Sequence, residues 1–202
     1  IYECKAKGIF RNKKIKPLVG DNVLIDVIDE DNKKGNISDI LERKNELIRP
    51  ASANIDQAMV IFAVKSPEPN YNLLDRFILM MDYQDVPTVV VFNKTDLVEE
   101  KDIEELKKIY EKCGCKVIFI SAYDNTGIDI LMDTLKDKTT ILAGPSGVGK
   151  SSLTNIILPD RNEEGEISKT GDVSRIGRGR HTTRHSEIFN VTGSTYICDT
   201  PG

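Results

Sequence analysis

The chain carries a glycine-rich run, Gly144-Pro145-Ser146-Gly147-Val148-Gly149-Lys150-Ser151, whose spacing suits phosphate chemistry. Its glycines let backbone N–H groups converge on phosphate oxygens without a Cβ in the way, and a helix opening at the lysine adds a favourable partial charge. Lys150 is placed to reach β- and γ-phosphates and to act in catalysis, and the Ser151 hydroxyl to ligate Mg²⁺. The context fits: the apolar run Thr140–Ala143 reads as a strand before the loop, and Lys150–Leu158 reads as a helix after it. A chance glycine turn has no reason to meet all of these conditions.

A second constellation points to the base. Asn93-Lys94-Thr95-Asp96 follows the strand Pro87–Phe92, at the carboxyl edge of a sheet, where doubly wound folds bind ligands. The Asp96 carboxylate can accept two hydrogen bonds from guanine N–H groups that adenine does not present together. Asn93 can pair with the base edge and tether the loops, and the Lys94 stem can lie over the ring. Ser121-Ala122, again just after a strand, can offer backbone N–H groups to the guanine oxygen. Together with the phosphate loop these residues predict a guanine-nucleotide site.

A third group lies downstream. Asp199-Thr200-Pro201-Gly202 follows the strand Ser194–Cys198, which forms a hairpin with Ser186–Val191 through Gly193. Asp199 is placed to bind the water shell of Mg²⁺ and the Gly202 N–H to sense the γ-phosphate. Thr182 or Thr183, in the glycine- and arginine-rich loop 174–184, would complete the metal shell, and spacing does not choose between them. His181 precedes both and could orient the attacking water.

The elements that must position these groups fall into two regions. Residues 1–49 read as short strands, Tyr2–Ile9, Asn22–Ile28 and Gly35–Leu41, separated by turn residues. That pattern suggests a small all-β, OB-like barrel with a strand missing before Ile1. Residues 50–202 alternate buried strands with amphipathic helices: Ala58–Val64, helix Leu73–Tyr83, Pro87–Phe92, helix Glu100–Cys113, Lys116–Ile120, helix Ile128–Lys136 and Thr140–Ala143. This is the signature of an α/β doubly wound sheet covered on both faces.

Composition narrows the class. Of 202 residues, 39% are hydrophobic and 30% charged, which excludes a disordered or low-complexity chain. No apolar run approaches the length of a membrane span, and no membrane association is expected. The formal net charge is −4, against a general nucleic-acid binder. Its distribution is uneven. Residues 1–20 hold six cations and one anion, whereas residues 51–143 hold ten cations and sixteen anions. Arg11, Lys13, Lys14 and Lys16, with Arg175, Arg178, Arg180 and Arg184, form two basic clusters suited to RNA, a solvated face being the plain alternative. Four scattered cysteines without a Cys-x-x-Cys pair give no zinc framework and fit a reducing, cytoplasmic compartment.

The order of the motifs is unusual. Asn-Lys-x-Asp and Ser-Ala precede the phosphate loop, which a circular permutation joining the old ends near Leu135–Thr140 explains. With Gly144-Pro-Ser-Gly-Val-Gly-Lys-Ser-Ser152, Asn93-Lys-Thr-Asp96, Gly179-Arg-His-Thr-Thr183 and Asp199-Thr-Pro-Gly202 in permuted order after an OB-like segment, the chain resembles the circularly permuted, small-ribosomal-subunit-dependent GTPases of the RsgA type. The resemblance implies hydrolysis of GTP to GDP and phosphate with Mg²⁺, stimulated by the small ribosomal subunit and its rRNA, in late maturation of that subunit. It implies that His181 matches the family's switch histidine, proposed as catalytic. It also implies a C-terminal zinc domain, expected beyond Gly202, so zinc is not assigned to these residues. A monomer is expected.

Two other readings are open to the same residues. In one, the chain is a nucleotide-gated ribosome-binding factor whose hydrolysis is incidental. In the other it is a nucleoside-monophosphate kinase, because guanylate kinases carry a similar Gly-Pro-Ser-Gly loop. Only 51 residues follow Ser151, and Asn93–Asp96 would have no role in such a kinase.

Overall fold

A computed structural model describes residues 1–8, 10, 15–158 and 186–199. They fall into two compact units, dividing between Asn54 and Ile55.

The first unit holds β1 (Glu3–Ala6), β2 (Val23–Asp29) and β3 (Lys34–Ile40) in one sheet of order β1-β3-β2. β1 runs parallel to β3, and β2 antiparallel to it. A second, two-stranded ladder pairs β4 (Glu46–Leu47) with β5 (Ser52–Ala53). Gly20 is required where β5 closes on the turn before β2: it has φ +91°, and a Cβ there would lie 2.1 Å from the Ala53 carbonyl oxygen. The Arg43 guanidinium grips the nearly buried Asp21 carboxylate with two hydrogen bonds, of 2.7 and 2.9 Å, and donates to the Lys16 carbonyl at 2.8 Å. Such a planar fork orients two segments at once.

The second unit is a six-stranded mixed sheet. Its strands are β6 (Gln57–Ala63), β7 (Thr88–Asn93), β8 (Lys116–Phe119), β9 (Thr139–Ala143), β10 (Glu187–Thr192) and β11 (Thr195–Asp199), in the order β10-β11-β9-β6-β7-β8. All neighbours are parallel except the β10–β11 hairpin. β6 is buried along its whole length, as a strand covered on both faces must be.

Helices α1 (Tyr71–Asp82), α2 (Glu100–Tyr110), α3 (Ile128–Leu135) and α4 (Lys150–Ile157) cover the sheet. α1 starts two residues before the expected Leu73, because the Asn70 side chain caps it by accepting from Leu73 N. α2 opens on a capping box of Glu99 and Asp102. It stops as α-helix at Tyr110, tightens into one 3₁₀ turn at Glu111–Cys113, and ends on Gly114 at φ +73°. One core, including Met59, Ile61, Val91, Leu131, Leu142, Leu153 and Ile197, joins the sheet to α3 and α4. The other, including Phe62, Leu74, Phe92 and Tyr110, joins it to α1 and α2.

Strand order runs outward in both directions from the β6–β9 pair, so this pair is the switch point of the sheet. α3 ends at Leu135 and β9 begins at Thr139, which makes the expected joint a three-residue turn. The buried Gln57 fastens it. Its Nε2 donates to Thr134 O and Thr140 Oγ1, both at 2.9 Å, and its Oε1 accepts from Lys138 Nζ at 3.1 Å.

Candidate nucleotide site at the carboxyl edge of the sheet

β6, β7, β8, β9 and β11 are mutually parallel, so the loops that leave them emerge on one edge. Those loops hold Asn93–Asp96, Ser121–Ala122, Gly144–Ser151 and, at the end of β11, Asp199.

Asn93 is buried at the centre. Its Nδ2 donates to the Val148 carbonyl at 2.9 Å, and its Oδ1 accepts from Ala122 N at 3.1 Å and from Lys94 N at 2.8 Å. One amide therefore ties the phosphate loop, the Asn-Lys-x-Asp loop and the Ser-Ala loop together. The tie depends on Gly149, at φ +97°, since a Cβ there would stand 2.3 Å from Asn93 Nδ2. Of the two roles expected for Asn93, tethering is the one these bonds express.

Lys94 adopts a left-handed backbone, φ +67°. Its amine donates to the Gly147 carbonyl at 2.8 Å and also to the Ser66 carbonyl. The exposed Asp96 accepts from Ser121 Oγ at 2.7 Å through Oδ1. Ser121 itself is buried and pairs backbone to backbone with Thr126. The hydroxyl fixes the carboxylate's orientation, which a base reader needs before its ligand arrives.

In the phosphate loop, Gly144 sits against β6, where a Cβ would meet the Ile61 oxygen at 2.1 Å. The Val148 side chain is buried in the core, so only its backbone serves the loop. Pro145 is half-buried, while Ser146, Gly147, Ser151 and Ser152 are exposed and open to a ligand. Lys150 Nζ folds over the loop and donates to Gly144 O at 2.6 Å and Pro145 O at 2.8 Å. Burial lowers its pKa, and the Asp199 carboxylate opposes that shift. Asp199 stands in register with Leu142 of β9, two residues before Gly144. Of the expected phosphate and metal ligands, the described ones, Gly144–Ser152 and Asp199, thus lie on one edge.

Of the basic residues, Lys16 is described and exposed. His181, Thr182, Thr183, Gly202, Arg11, Lys13, Lys14, Arg175, Arg178, Arg180 and Arg184 lie outside the described residues. Nothing in the sequence marks Ser66 as part of this site. A Ser-Pro step after a buried strand was its only signal, and that reads as an ordinary turn.

The RsgA GTPase family matches residues 40–202, and the RsgA N-terminal domain matches residues 1–37. The small ribosomal subunit biogenesis GTPase RsgA of Agathobacter rectalis is 56% identical over 203 residues, covering all of this chain and 66% of that protein. Its namesake in Alkaliphilus metalliredigens is 51% identical and is covered to 68%. Among solved structures, YjeQ from Thermotoga maritima superposes with a TM-score of 0.76 at 33% identity, covering 98% of this chain and 66% of that one. YloQ, described as a circularly permuted GTPase, gives 0.72 at 36% identity, covering all of this chain and 62% of that one. The chain spans about two thirds of the length of these relatives.

Proposed function

The chain belongs to the RsgA GTPase family, with an OB-like N-terminal domain and a circularly permuted GTPase domain, and from that premise we propose that it hydrolyses GTP in the biogenesis of the small ribosomal subunit. The observation that carries the proposal is the Asn93 side chain, which binds Val148 O and Ala122 N and so holds the phosphate loop and the base loops as one pocket.

In this reading Asp96 accepts from guanine, the Ala122 N–H is shared between Asn93 Oδ1 and the guanine oxygen, and the stem of Lys94 covers the ring. Gly144–Ser152 wrap the phosphates, and the Lys150 amine moves from the Gly144 and Pro145 carbonyls onto β- and γ-oxygens. That exchange is balanced: one set of acceptors on the ammonium replaces another, and the new set carries full charge. Water attacks the γ-phosphorus, the bond to the β–γ bridging oxygen breaks, and Lys150 stabilises the charge that develops on the transferring group.

The residues at hand fit Mg²⁺. Ser151 is exposed in the first turn of α4, and Asp199 is close enough to the loop for its charge to act on Lys150. Ser151 would ligate the ion directly and Asp199 through water. When bound, it neutralises charge on the β- and γ-phosphates. We assign the γ-phosphate side to His181 as water-orienting group, Thr182 or Thr183 as metal ligand, and the Gly202 N–H as sensor. Their spacing downstream of the phosphate loop supports this. Arg11, Lys13, Lys14, Lys16, Arg175, Arg178, Arg180 and Arg184 are assigned to rRNA, on charge alone.

The test is GTP hydrolysis with and without small ribosomal subunits. Slow intrinsic turnover, rising strongly with subunits and lost in Lys150→Ala, is expected. Equal rates with and without subunits would defeat the activation claim.

A further inference from the structure

We infer that the Ser66–Pro67 turn is a further positioning element of the nucleotide site, fixing Lys94 across the pocket before nucleotide binds. The inference rests on reading the pocket as a guanine-nucleotide site.

Three observations converge on this turn. First, the Lys94 ammonium is held from two sides, by Ser66 O and by Gly147 O. The lysine is therefore a strut between the end of β6 and the phosphate loop. Second, Ser66 and Lys94 both adopt positive φ, +51° and +67°. An ordinary L-residue takes that conformation at a cost, and two such residues meet at one hydrogen bond. The unusual backbone at Ser66 accompanies a carbonyl that points to the amine rather than to solvent. Third, Pro67 is a near neighbour of Gly147, since a Cβ on that glycine would lie 3.7 Å from Pro67 Cδ. The turn so touches the phosphate loop as well as the lysine.

The fold explains why this turn is in reach. β6 lies between β7 and β9, so its carboxyl end emerges between the base loop and the phosphate loop. Val64 N donates to Asn93 O at 2.9 Å, which places Ser66 two residues beyond the point that faces the start of the Asn-Lys-x-Asp loop. Ser66 and Pro67 are exposed and make no contribution to the core. What they supply is order. A lysine side chain has much rotamer freedom to lose on binding, and a head pinned at two carbonyls has lost it already. Its stem then lies stretched where a base would stack, as a preformed apolar strip.

The test uses fluorescent mant-GDP binding to the 202-residue chain, comparing wild type, Ser66→Val, Ser66→Gly, Lys94→Ala and the Ser66→Val/Lys94→Ala double variant. Valine resists positive φ, whereas glycine adopts it freely. Ser66→Val should weaken binding about 3- to 10-fold, the scale of one immobilised long side chain. Ser66→Gly should bind like wild type. In the Lys94→Ala background, Ser66→Val should have no further effect, because the strut is already gone. A purely structural role would not give that coupling. If Ser66→Val binds like wild type, if Ser66→Gly loses as much as Ser66→Val, or if the loss persists without Lys94, the inference is overturned. A wild-type chain that fails to bind mant-GDP overturns the nucleotide reading, and this inference with it.

Discussion

Asn93 Nδ2 and the Val148 carbonyl lie 2.9 Å apart, and this buried bond closes the phosphate loop onto the base loops. Removing the amide leaves Val148 O and Ala122 N without their partner in a place with little water to replace it. Asn93→Ala should therefore lower unfolding free energy by about 1–3 kcal/mol and weaken nucleotide binding together. Gly149→Ala attacks the same tie from the other side, through a Cβ 2.3 Å from Asn93 Nδ2. The double variant should lose less than the two losses added, because both remove one interaction. Chemical denaturation of the four proteins measures this, and full additivity would show that the tie is not shared.

The base site makes a sharper prediction. Asp96 accepts from Ser121 Oγ through Oδ1, a bond that asparagine retains, so Asp96→Asn should leave the loop and the melting temperature unchanged. The second acceptor, however, becomes a donor. Each guanine N–H that loses a charged acceptor should weaken GTP binding roughly 10- to 100-fold. Xanthosine nucleotides, with an acceptor where guanine has its exocyclic amine, should gain. Calorimetric titration of GTP and XTP against both proteins reads the exchange, and an unchanged preference for GTP would mean that the base is bound elsewhere.

Much of this site was readable because its signals are local. The phosphate-binding run is nine consecutive residues, Gly144–Ser152, that leave a strand and enter a helix, and the β7 strand is a run of valines that only a doubly covered sheet can bury. Gly114 and Gly193 mark ends because a positive φ is a property of one residue. What sequence could not supply depends on partners far along the chain. Gln57 looks like a polar residue before a strand, yet it is the buried fastener of a joint about eighty residues away. Asn93 offers the same amide to a base or to a backbone, and only the approach of Val148 decides between them. The β4–β5 ladder has two residues per strand, too few for any periodicity. Ser66 has no unusual neighbour except Pro67; its role appears only when β6 is set beside β9.

Cys198 predicts a pH dependence. The thiol is fully buried in β11, and burial, with the Asp199 charge beside it, pushes its pKa up to about 11. The folded pKa is above the unfolded one, so the protonated thiol contributes stability that is complete below the ordinary thiol range and is lost as pH rises toward that value. Cys198→Ala should be less stable near neutrality and show a flatter decline at alkaline pH. Thermal unfolding of both proteins across that range separates the two effects, and parallel curves would contradict the assignment. A thiol reagent should modify the exposed Cys113 in the native protein and leave Cys198 untouched until unfolding.

Thr154 gives the opposite sign. It lies in α4, one turn after Lys150, between the core residues Leu153 and Ile157. Its hydroxyl is buried and has no hydrogen-bond partner among the described residues. A hydroxyl taken out of water without a partner costs on the order of 1–3 kcal/mol, whereas a methyl of nearly the same shape in that place gains from burial. Valine restricts χ1 much as threonine does and costs little in helix propensity by comparison. Thr154→Val should therefore stabilise the fold by about 1 kcal/mol, which for a domain of about 150 residues is a rise in melting temperature of roughly 2–4 °C. The Thr154 side chain is buried and its hydroxyl makes none of the hydrogen bonds described for the phosphate loop, so mant-GDP affinity should not change. A fall in melting temperature would show that the hydroxyl has a partner in the folded protein, and a fall in affinity that Thr154 supports the phosphate loop.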